Sequence, residues 1–129
     1  LPGHMLAALT AAGKRLVLAT SKPEVFARRI LEHFSLASYF TYIAGANMDE
    51  TRTRKADVVA YALESAGVAD ASRAVMVGDR EYDVLGAREA GLSTVGVLYG
   101  YGSRAELEQA GAIAIASSVE QLQAVLLAE

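Results

Sequence analysis

Asp79 and Asp83 stand four residues apart in Ala74-Val75-Met76-Val77-Gly78-Asp79-Arg80-Glu81-Tyr82-Asp83, directly after an apolar run that stops at a glycine. A buried strand ending in a tight turn would present Asp79 at its tip. A carboxylate there is a hard oxygen ligand of the kind Mg²⁺ prefers. Thr20 closes a second apolar run, and Lys55 opens a helical pattern. A hydroxyl, an ammonium and a carboxylate thus come from three distant parts of the chain. No Asp-x-Asp follows an apolar run anywhere, so the constellation is half of a site.

The elements that must position these groups are legible as an alternation. Residues 6–12 read as a short helix closed by Gly13, a C-terminal helix signal. Residues 15–19 form an apolar run suited to a buried parallel strand. The stretch 24–34 is helical, with Phe26, Ile30 and Phe34 spaced by fours on one face. Residues 42–44 read as a strand, 54–66 as a helix ended by Gly67, 74–77 as a strand, 82–90 as a helix closed by Gly91, and 93–97 as a strand. Ser103-x-x-Glu106 and Ser117-x-x-Glu120 have capping-box spacing and open the last two helices, with a short strand between them at 112–115. Strands alternating with helices predict an α/β fold with a parallel sheet covered on both faces. In open sheets of this class ligands sit at the carboxyl ends of the strands. Thr20 and Ser21, Asn47, Gly78 and Asp79, and Tyr99 and Gly100 all fall at such ends.

The 129 residues fit one domain, and 53% hydrophobic content with a mean hydropathy of +0.25 supplies a core. Aromatics are 7%, so that core rests on Ala, Val, Leu and Ile. The net charge of −3, without a clustered basic face, gives no nucleic-acid surface. The absence of cysteine excludes disulfides and thiolate metal sites. No apolar run is long enough to span a bilayer. The expected location is cytoplasmic. Gly3-His4-Met5 reads as a cloning remnant, with residues 1–5 outside the fold and 6–129 forming it. The alternative is that Leu1-Pro2-Gly3 is a native lead into the first helix.

The ordered motifs resemble the haloacid dehalogenase-like phosphatases, near the phosphoglycolate phosphatase and 5′-nucleotidase branch. Leu-Ala-Thr-Ser-Lys-Pro at 18–23 looks like the second motif of that family, Lys55 like the third, and Val-Gly-Asp-Arg-Glu-Tyr-Asp at 77–83 like the fourth. The segment 96–102, followed by a capped helix, also matches. The resemblance implies a Rossmannoid three-layer core and Mg²⁺-dependent hydrolysis of a small phosphorylated metabolite. It implies that Thr20, with Ser21, binds the transferring phosphoryl group, that Lys55 neutralises its charge, that Asp79 holds Mg²⁺, and that Asp83 supports the acidic cluster or orients Lys55. Such chemistry is mostly positioning and electrostatic stabilisation.

The same resemblance implies what this chain lacks. Family members begin with Asp-x-Asp, whose first carboxylate forms an aspartyl-phosphate and whose second is the general acid and base. Neither these nor the substrate-selecting cap is in the sequence, so the match is to the C-terminal part of the core, and the chain alone is expected to be inactive. Asn47-Met48-Asp49-Glu50-Thr51 imitates the missing motif, but the Asn47 amide cannot form an acyl-phosphate. In the family the nucleophile strand lies between those ending at Thr20 and Gly78. Its absence would leave backbone groups unpaired at about 1–3 kcal/mol each when buried. One of three compensations is expected: direct pairing of the two strands, a homo-oligomer or strand exchange, or a longer parent molecule. Two other classes compete with the phosphatase reading. One is a truncated, non-catalytic module that binds phosphate or a partner. The other is a receiver-type signalling domain, whose acidic pair and phosphoacceptor aspartate are not visible.

Overall fold

The computed structural model describes residues 2–47, 49, 51–52 and 54–128. Leu1, and Met48, Glu50 and Thr53 of the loop around Asn47, lie outside the described residues. The chain forms two compact units, Leu1–Ala69 and Asp70–Glu129.

The first unit runs α1 (Pro2–Ala11), β1 (Val17–Pro23), α2 (Glu24–His33), β2 (Tyr42–Ala46) and α3 (Lys55–Ser65). α1 starts four residues earlier than its periodicity predicts. β1 and β2 pair in parallel, with Val17 opposite Tyr42, Leu18 opposite Ile43 and Ala19 opposite Ala44. The register then slips, so that Pro23 faces Ala46. Thr20, Ser21 and Lys22 therefore arch over the single residue Gly45. An insertion of this kind re-aims side chains at the end of a strand. α3 packs on both strands. Its Val58 and Ala62 close a core with Ala44, against which Val17, Ala19, Tyr42 and Tyr61 pack.

The apolar stripe of α2 does not face this core. Phe26, Ile30 and Phe34 are 45%, 46% and 64% exposed, whereas Ala27 on another face is 4% exposed. Spacing by fours identifies a face and says nothing of which neighbour covers it.

The second unit runs β3 (Val75–Gly78), α4 (Glu81–Glu89), β4 (Ser93–Val97), α5 (Arg104–Ala110), β5 (Ala114–Ala116) and α6 (Val119–Leu127). Its three strands form a parallel sheet in the order β3-β4-β5. β4 is central, and Thr94 to Val97 are all buried. Val84 of α4 and Leu107 and Ala110 of α5 form the core, with Leu98, Ala112 and Ile115 packed against it. The glycines expected to close helices, Gly13, Gly67 and Gly91, all have positive φ.

The predicted single sheet is thus two parallel sheets, β1-β2 and β3-β4-β5. Direct pairing of β1 with β3, one of the expected compensations, is not found among the described residues. Val75 and Val77 of β3 remain more than a third exposed. Among the described residues, no helix is long and apolar enough to cross a membrane.

Candidate functional site

Lys55 reaches β1 at the residue before Thr20, and the strand, expected to end at Thr20, continues to Pro23. Lys55 is the first residue of α3, whose packing on β1 carries the side chain over the strand. Its ammonium donates to the carbonyl of Ala19 at 3.3 Å, one residue before Thr20. The Thr20 hydroxyl accepts from the backbone N–H of Lys22 at 3.2 Å, which fixes the first turn of the arch. That bond uses the oxygen as an acceptor and leaves its O–H able to donate. Ser21 sits exposed on the arch. Its capping-box spacing with Glu24 is not used: Pro23 precedes α2 without a side-chain cap, and Glu24 instead accepts from the Gly45 N–H at 3.3 Å.

Arg52, close to Lys55 in the sequence, has a structural role. The Arg52 guanidinium stacks 3.6 Å over the Tyr61 ring, donates to the Gly45 carbonyl at 2.9 Å and lies 3.8 Å from Glu24. The Asn47 loop is tied to itself. Asn47 donates to the Thr51 hydroxyl and accepts from Arg52 N–H at 2.8 Å, and Asp49 accepts from Thr51 twice. Those Thr51 bonds hold the Asp49 carboxyl below its usual range. This is turn chemistry, which accounts for the decoy motif.

Asp79 and Asp83 meet within the second unit. β3 ends at Gly78, and the chain turns into α4 with Asp83 in its first turn. Asp83 is 8% exposed, and its Oδ2 accepts from the N–H groups of Asp79 at 3.1 Å and Arg80 at 3.3 Å. A side chain at Gly78 would overlap the Asp83 carboxylate, so the glycine is required by close approach. Asp83 therefore holds the turn that carries Asp79. Arg80 is the N-cap of α4, so Asp79 does not cap the helix. The Asp79 carboxylate accepts from the Tyr101 N–H at 2.8 Å.

Glu106 was missed as a site neighbour. The Ser103 hydroxyl accepts from Glu106 N–H at 3.1 Å, as the capping spacing predicts. The Glu106 carboxylate, however, reaches across to Arg80 at 2.8 Å and to the Glu81 N–H at 2.7 Å. The bond from Arg80, followed by that from Glu81, lowers its pKa. No signal in the sequence separates this use of a glutamate from a closed capping box.

The structure thus brings Lys55 to the residue before Thr20 in one unit, and Asp79 beside Asp83 in the other. Asp79 fits a cation ligand chemically: it is a half-buried carboxylate whose backbone N–H is held by Asp83 and whose Oδ2 accepts from the Tyr101 N–H. Among the described residues, no group of three or more His, Asp or Glu side chains is arranged to hold a metal.

Comparison with known proteins gives these groups their context. Residues 3–97 match the family model described as haloacid dehalogenase-like hydrolase. A Pseudomonas aeruginosa protein named 5′-nucleotidase is 45% identical over 104 residues, covering 81% of this chain and 47% of its own length. A Mycobacterium tuberculosis protein named tyrosine-protein kinase PtkA is 43% identical over 126 residues, covering 96% and 43%. Bacterial proteins named phosphoglycolate phosphatase match at 32–38% identity. A crystal structure from Clostridium acetobutylicum, described as a predicted phosphatase, superposes with a TM-score of 0.94 at 47% identity, covering 98% of this chain and 58% of that one. The chain spans about half the length of the curated relatives it matches. Its α/β architecture with parallel sheets corresponds to part of the Rossmannoid core of these neighbours, and the chain belongs to the haloacid dehalogenase-like hydrolase family.

Proposed function

We propose that this chain is the phosphoryl- and metal-handling portion of a Mg²⁺-dependent phosphomonoester hydrolase acting on a small phosphorylated metabolite, such as phosphoglycolate or a nucleoside monophosphate. The observation that carries the reading is the Lys55 ammonium on the Ala19 carbonyl, one residue before Thr20. A cation and a hydroxyl donor on neighbouring residues of one strand suit a phosphoryl oxygen. In this reading Thr20 and Ser21 bind the phosphoryl group, Lys55 offsets its charge, and Asp79 supplies one oxygen to Mg²⁺. Asp83 acts through Asp79, by holding the turn, rather than on substrate. Mg²⁺, when bound, would neutralise charge on the phosphoryl oxygens. The names of the relatives support phosphatase chemistry, with 5′-nucleotidase activity as the alternative of the same class.

The attacking carboxylate is not in the sequence, so the chain alone should not turn over. The test is release of p-nitrophenol from p-nitrophenyl phosphate with Mg²⁺. The expected rate equals that of buffer. Mg²⁺-dependent release that disappears in Asp79→Ala would overturn this expectation. A second reading, a non-catalytic module, predicts phosphate binding without any dependence on Mg²⁺. A third is favoured by the kinase-named relative at 96% coverage of this chain. It predicts γ-phosphoryl transfer from ATP to a tyrosine hydroxyl, readable with labelled ATP.

A further inference from the structure

Gly100 and Gly102 lie so close to Asp79 that neither position leaves room for a side chain. A methyl group placed at Gly100 would overlap the Asp79 carboxylate, and one placed at Gly102 would overlap the Asp79 carbonyl oxygen. Only residues without a Cβ fit at both positions. Between them, the Tyr101 backbone N–H donates to Asp79 Oδ2 at 2.8 Å, although the Tyr101 side chain itself points away, with the residue 93% exposed. On the other side of Asp79, its own N–H is bound by Asp83. Among the described residues, only Oδ2 of the Asp79 carboxylate accepts a hydrogen bond.

We propose that Gly100, Tyr101 and Gly102 form a positioning clamp that fixes the rotamer of Asp79 by holding Oδ2, so that Oδ1 is the oxygen offered to a cation. The clamp works through the main chain. Tyr101 contributes its N–H and not its ring, and the two glycines contribute the space. A carboxylate preset in this way need not be reoriented when a cation arrives, which lowers the ordering cost of binding. The assignment of Oδ1 to a cation rests on the reading of Asp79 as a metal ligand. The clamp itself rests on the hydrogen bond and the two close approaches.

The test is amide hydrogen exchange with side-chain coupling constants, measured by NMR on the whole chain. In the wild type the Tyr101 amide is expected to exchange about tenfold more slowly than in Asp79→Ala, the effect of one hydrogen bond to a charged acceptor. Gly100→Ala should lose the same protection, and the χ1 couplings of Asp79 should change from a single rotamer to an average. The β3–β4 ladder amides stay protected if the unit remains folded. Tyr101→Ala, which keeps the N–H, should leave protection and couplings unchanged. Should Gly100→Ala fail to fold, the comparison of wild type with Asp79→Ala decides alone. A Tyr101 amide unprotected in the wild type, or indifferent to Asp79→Ala, overturns the clamp. Mg²⁺ added to the wild type supplies the separate arm. Perturbation at Asp79 supports the use of Oδ1, whereas protection of Tyr101 without any Mg²⁺ response retains the clamp and removes the metal reading.

Discussion

At the scale of single residues, a few charged groups hold turns and join elements. Glu106 is the clearest case, because one carboxylate joins the start of α5 to both Arg80 and the Glu81 N–H at the start of α4. Its pKa lies below the ordinary carboxylate range, first because of the Arg80 bond. A depressed carboxylate contributes stability above its unfolded pKa and loses it as pH falls through its folded pKa. Stability should therefore decline below roughly pH 4.3, the ordinary glutamate value. Urea midpoints measured against pH should show Glu106→Gln destabilised near neutrality, converging on the wild type in acid. Asp70, whose pKa is lowered by the Ser72 hydroxyl, keeps a residual acid slope in both proteins. A variant that tracks the wild type at every pH would mean that the Glu106 bonds contribute nothing. The residues Thr20, Lys55, Asp79 and Asp83 were legible because each occupies the end of an apolar run or the start of a helix. Glu106 and the Tyr101 N–H were not, since a cross-element bond leaves no local pattern.

At the scale of elements, periodicity and capping chemistry locate all eleven principal helices and strands of the described residues, and the errors lie at their ends. The final helix shows why. Both Ser117-x-x-Glu120 and Ser118-x-x-Gln121 have box spacing, and spacing cannot choose between them. The structure uses Ser118, whose hydroxyl accepts from Gln121 N–H at 3.1 Å. The Gln121 side chain then reaches back to Ser117, accepting from its N–H at 2.8 Å. Ser118→Ala is accordingly expected to cost about 1 kcal/mol of stability, the typical value of an N-cap. Ser117→Ala should cost less, because the backbone N–H that Gln121 binds is retained. Equal losses in denaturant unfolding would place the cap at Ser117 after all. The arch at 20–22 was unreadable for a similar reason: a register slip depends on the partner strand, which the alternation of residues within β1 does not encode.

At the scale of the whole molecule, sequence and structure agree on an α/β chain with parallel strands, and the family model accounts for most of it. The sequence could not show that the strands divide into two sheets. Strand pairing is a property of the assembled chain, and in both sheets the pattern of apolar residues is the same. The valines of β3 and the apolar stripe of α2 are exposed, and the chain spans about half the length of the curated relatives it matches. The expected homo-oligomer or strand exchange remains a proposal for what completes β1 and β3. The central claim is that Thr20 and Lys55 serve one phosphoryl-sized ligand. The measurement that tests it most directly is an NMR titration of the chain with orthophosphate. The account predicts that signals of both residues shift with one common saturation curve. A shift at one of them that leaves the other unmoved, or a response at neither, would contradict it.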